Sequence, residues 1–96
     1  MRLALYSSKS GGSDPNLVAI QDLRFHRLPT LLVCPTKPDA TRTSYRAEIV
    51  WRDKSFVVLC ELARPIHRDA LRLIGEASEA DSRAVMTTFL KLLAKD

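Results

Sequence analysis

The chain has 96 residues, 46% of them apolar and 27% charged, which predicts one globular domain spanning residues 1–96 and excludes a disordered or fibrous chain. No apolar run approaches the roughly 18 residues of a membrane-spanning helix, and Met1 to Tyr6 is too short and too soon polar for a signal peptide, so a cytoplasmic protein without membrane contact is expected. A net charge of +4 and a pI near 9.4 favour an acidic partner, either nucleic acid or an acidic protein segment, with Arg42, Arg46 and Arg52 close enough in sequence to form its contact patch.

Taken in chain order, Arg2 to Ser7 alternates as a short strand, with Leu3 and Leu5 on one side and Tyr6 on the other. Ser7 to Pro15 is rich in Ser, Gly and Pro and reads as a loop. Asn16 to Leu23 and Thr30 to Cys34 are continuous apolar runs too short for helices, suited to strands buried on both faces or to a closed sheet. Tyr45 to Trp51 alternates cleanly, with Tyr45, Ala47, Ile49 and Trp51 on one face. After a polar turn at Arg52, Asp53 and Lys54, the segment Ser55 to Leu62 places Phe56, Val58, Cys60 and Leu62 on one face, so the two strands should pair as a hairpin. Ala63 to Pro65 is expected to end the second strand, and Leu71 to Ile74 to add a short one broken at Gly75.

The last segment is helical. Ser78 is its N-cap, Glu79 and Asp81 sit in the first turn, and Lys91 and Lys95 lie at the other end, each where the helix dipole prefers that charge. Val85, Met86, Phe89, Leu90, Leu92 and Leu93 cover an arc of roughly 160°, wider than packing on one sheet requires. A second buried surface follows, and Met86, Leu90 and Leu93 are the candidates for a homodimer interface.

Cys34 and Cys60 fall inside apolar runs and read as reduced, buried thiols. His26 and His67 have no Cys or carboxylate at ligand spacing, so neither a metal nor another cofactor is expected. An SH3-like adaptor or nucleic-acid-binding barrel would need Tyr6, Phe25, Tyr45 and Trp51 to face solvent, whereas Tyr45 and Trp51 share the face assigned to packing.

The order of elements, five to six short antiparallel strands and then a C-terminal helix, resembles the CcdB/MazF toxin superfamily, a mainly β (α+β) fold built on a small SH3-like barrel. The resemblance is nearest to CcdB. It rests on Tyr45 to Ile66 (YRAEIVWRDKSFVVLCELARPI) as the paired strands with their closing proline region, Leu73 to Glu76 (LIGE) as the link before the helix, and Asn16 to Leu23 as the second strand. It implies a homodimeric, non-enzymatic toxin of a toxin–antitoxin system that traps DNA gyrase, through its A subunit, on cleaved DNA. It further implies neutralisation by an acidic antitoxin, joint repression of their operon, and operator contact only with the antitoxin bound. Gyrase-poisoning members end in Trp-Gly-Ile; at the matching place this chain offers Leu92, Leu93, Lys95 and Asp96 as target-binding residues. The alternative is an endoribonuclease toxin like MazF, in which Thr36 and Arg27 would be the catalytic pair, with His26 and Pro29 beside them, although Asn16 stands where those ribonucleases place their arginine.

Overall fold

The first apolar segment forms β1 (Ala4–Ser7), and its faces divide as the alternation predicts: Leu3 and Leu5 enter one core cluster, Ala4 and Tyr6 another. The computed structural model describes residues 1–8, 12–21 and 28–94. Along it follow β2 (Leu17–Ala19), β3 (Thr30–Lys37), β4 (Ala47–Trp51), β5 (Lys54–Val58), β6 (Arg64–His67), β7 (Arg72–Glu76) and α1 (Glu79–Leu93). The pairings are antiparallel in the spatial order β4-β5-β3-β2-β1-β7, with β6 also on β3. This is a curled half-barrel carrying a C-terminal helix, the mainly β architecture that the sequence predicts.

β3 is the hub because it is the longest strand and serves three neighbours. Thr30 to Val33 pair with β6, Val33 to Pro35 with β2, and Thr36 and Lys37 with β5. β1 and β2 are buried along their whole lengths, which explains why β2 shows an apolar run and no alternation. The inner cluster, with Leu3, Leu5, Val18, Cys34, Ile49 and Val58 at its centre, meets α1 through Val85. At the ends of the strand path, a side chain bridges β4 and β7: the Trp51 ring lies over Gly75, in the volume that a Cβ there would fill. Gly75 is thus a required close approach within β7 rather than its terminator.

The β4–β5 hairpin forms as predicted. Its two-residue turn puts Arg52 (φ 50) and Asp53 (φ 65) in the left-handed region, the backbone that matches the twist of the flanking strands. The Arg52 guanidinium packs over the Trp51 ring at 5.5 Å.

Several boundaries differ from expectation. β3 runs on past Cys34 to Lys37, and the regular part of the second strand is only Leu17–Ala19; Asp22 and Leu23 lie outside the described residues. β4 begins at Ala47, which leaves Tyr45 outside the packed face and 39% exposed. The chain leaves β5 for a 3-10 turn at Cys60–Leu62, so Leu62 turns outward although Cys60 stays buried. Pro65 does not end the sheet: it sits in β6 opposite Leu32, on an edge where a missing N–H costs nothing. β6 is what raises the strand number to seven.

Candidate binding site

Beside the hairpin, the end of β3, the loop before β4 and the Cys60–Leu62 turn enclose a groove of about 470 Å³, with Lys37, Asp39 and Arg46 at its rim and Leu59 and Leu62 as its apolar wall. Arg46 is held in place on three sides. Its Nε and Nη2 donate to Glu61 Oε2 at 2.9 and 2.6 Å, and its Nη1 donates to the Thr41 carbonyl at 2.9 Å. The hydrogen bond from Arg46 holds the Glu61 carboxyl below the usual carboxylate range, against the opposing effect of burial. A guanidinium fixed this way keeps its remaining N–H groups in place without having to be ordered by a ligand, its charge shared with Glu61, while the leucines offer apolar contact. Such a groove can seat an extended segment bearing acidic and apolar side chains.

Of the three predicted patch arginines, Arg46 lines this groove. Arg42 pairs weakly with Glu48 at 3.5 Å, on the loop that leads to Arg46. Arg52 stands at the far end of β4, about 20 Å away at ~3.3 Å per extended residue. Its neighbourhood is the hairpin tip, where Lys54 pairs with Asp14 at 3.1 Å.

The second surface is the end of α1. Val85 is buried and Met86 and Phe89 are half-buried, whereas Leu90, Leu92 and Leu93 are 56%, 40% and 64% exposed. Two clefts flank the helix. Met1, Arg83, Met86 and Leu90 line one of about 210 Å³; Leu32, Cys60, Ala63, Phe89, Leu92 and Leu93 line another of about 390 Å³. Met86 and Leu90, expected at a dimer interface, therefore lie together, while Leu93 belongs to the second cleft with Leu92. Lys95 and Asp96 fall outside the described residues.

Of the ribonuclease candidates, Thr36 lies among the described residues. It lies in β3 opposite Val58, buried, and its Oγ1 donates to the Pro15 carbonyl at 3.1 Å. That bond ties β3 to the segment entering β2. Arg27 and His26 lie outside the described residues. Tyr6 is buried, and burial pushes its phenol up; Trp51 is half-covered on Gly75; Tyr45 carries the Arg46 guanidinium 5.7 Å from its ring; Phe25 lies outside the described residues. Among the described residues no three of His, Cys, Asp and Glu converge as metal ligands, and no helix is long and apolar enough to cross a membrane.

Sequence reasoning missed Glu61, which decides how Arg46 is presented. Only the 3-10 turn brings it across to Arg46, and nothing in its spacing announces that turn.

No family model matches the chain, and no curated protein does. Among solved structures it is similar to a chain of the crystal structure of MazE–MazF (form II) from Deinococcus radiodurans, at 16% identity and a TM-score of 0.71, over 99% of this chain and 92% of that one. The likeness shows that the chain shares the fold of that structure.

Proposed function

We propose that the chain is the toxin of a toxin–antitoxin pair, a homodimer that acts by binding a macromolecule and is neutralised by an acidic antitoxin segment. The observation that carries this reading is the Arg46 groove, a fixed guanidinium and the Lys37 ammonium beside an apolar wall, on a fold shared with a chain of a MazE–MazF complex. An antitoxin tail that folds on binding gains association rate from a basic surface and affinity from the leucines. Arg42 and Arg46 make its first contacts, with Arg52 on the more distant hairpin tip.

On this reading Met86, Leu90 and Leu93 pack two copies together, and the helix end, Leu92, Leu93, Lys95 and Asp96, meets the target, the A subunit of DNA gyrase. Operator DNA is contacted only by the toxin–antitoxin complex, and the pair acts in the cytoplasm. The second reading is an mRNA endoribonuclease, favoured by the MazE–MazF likeness itself. It requires the Thr36 hydroxyl to leave the Pro15 carbonyl.

The test is induction of the chain in bacteria, with and without the small protein encoded beside it. Growth arrest relieved by the neighbour is the expected result, and unimpaired growth overturns the proposal. With purified protein, accumulation of gyrase–DNA cleavage complexes supports the gyrase reading. Cut RNA with an undisturbed cleavage equilibrium supports the ribonuclease, and Thr36→Ala and Arg27→Ala should then abolish cutting.

A further inference from the structure

The two cysteines, distant in sequence, meet in the core. β3 and β5 pair with Thr36 opposite Val58 and Lys37 opposite Val57, and the Leu59 N–H donates to the Pro35 carbonyl at 2.8 Å. Cys60 and Cys34 are the next residues beyond that bond, Cys60 at the start of the 3-10 turn. Residues beside a bond between antiparallel segments approach within about the 4.4–6.8 Å between Cα atoms that a disulfide spans. Both side chains enter the same core cluster, and both are free thiols in this structure.

The two sulfurs are not equivalent. Cys34 is wholly buried and Cys60 nearly so. Interaction with the Cys34 thiol lowers the pKa of Cys60, whereas the same interaction and burial raise that of Cys34. Cys60, 2% exposed, lies on the lining of the cleft of about 390 Å³ that Phe89, Leu92 and Leu93 share, which makes it the nearer of the two thiols to solvent.

We propose that Cys60 and Cys34 form an oxidisable dithiol in which Cys60, at the cleft, is the attacking sulfur and Cys34 the resolving one, with a hydroperoxide as oxidant. The Cys60 thiolate attacks one peroxide oxygen and the O–O bond breaks. Cys60 becomes a sulfenic acid, and the departing hydroxide takes up the proton that Cys60 released, leaving as water when the oxidant is hydrogen peroxide. The Cys34 sulfur then attacks the Cys60 sulfur, the S–O bond breaks, and the Cys34 proton leaves with the hydroxyl as a second water. Two thiols are oxidised to one disulfide, and one peroxide is reduced to two waters. The bond joins β3 to the wall of the cleft below the helix end. Its formation does not depend on what the protein binds.

The experiment treats the folded chain with hydrogen peroxide, quenches, unfolds and alkylates, with the intact mass as readout. The expected product is a monomer that takes up no alkylating agent and has lost two hydrogen atoms, with a thermal midpoint raised by about 10 °C and returned by reductant. In Cys34→Ala, dimedone should trap a sulfenic acid on Cys60; in Cys60→Ala, Cys34 should stay reduced under the same treatment. Two alkylated thiols in peroxide-treated wild type, a disulfide formed only between chains, or oxidation only in denaturant would each overturn the proposal. Circular dichroism of each variant establishes that it is folded, and the wild-type result stands as the test even where a variant is not.

Discussion

The two ends of α1 are built on opposite principles. At the N-terminus three side chains each have a specific backbone partner: Ser78 Oγ accepts from the Asp81 N–H at 3.1 Å, Asp81 Oδ2 accepts from the Val50 N–H at 2.9 Å, and Ser82 Oγ accepts from the buried Leu3 N–H at 2.9 Å. Arg2 adds a bond to the Ala77 carbonyl at 2.9 Å. One turn thus caps itself, covers the open edge of β4 and anchors the start of β1. At the C-terminus the helix carries leucines that face solvent over an apolar cleft. Hydrogen bonds with fixed geometry set where the helix sits, whereas exposed apolar area is available for a partner. The first end serves the fold, and the second is where binding is to be sought.

The sharpest way to break this contrast is to remove packing where the helix meets the core. Val85→Ala should cost about 2 kcal/mol in denaturant unfolding, since it deletes wholly buried methyl groups and leaves a cavity. Ser82→Ala is expected to cost slightly less, about 1.5 kcal/mol, because the Leu3 N–H loses its partner where water cannot replace it. Ser78→Ala, at a more exposed cap, should cost about 1 kcal/mol, read from the same unfolding curves.

A smaller effect belongs to Glu61, whose carboxyl is held below the usual range by Arg46. A depressed folded pKa contributes stability that is present above the ordinary carboxylate range and lost as pH falls through the lowered value. Glu61→Gln should therefore flatten the acid side of the thermal midpoint against pH profile and leave the region below it nearly unchanged. At the other end of the helix, Leu92→Lys with Leu93→Lys should change stability by less than about 0.5 kcal/mol and yet abolish growth arrest on induction. If that pair unfolds the protein instead, the division between the two ends fails.

Much of the fold was legible because it is local. Leu3, Leu5 and Tyr6 alternate as their strand requires, Arg52 and Asp53 mark the hairpin turn, and Ser78 with Asp81 announces the helix start within a few residues of where it forms. Pro65 misled because whether a strand lies at an edge is not written in its own residues. Of the candidate site, the arginines were legible as charge, but the separation of Arg52 from Arg46 follows from the length of β4.

Residue spacing and chemistry by themselves determined a mainly β chain with a capped terminal helix, because such signals act over one turn or one hairpin. Only the tertiary structure decided that Glu61 meets Arg46, that Cys34 faces Cys60, that Trp51 covers Gly75 and that Thr36 binds Pro15. Each of these contacts joins segments that the curl of the sheet brings together, and their positions depend on the whole set of pairings around β3, which no single stretch of the chain encodes.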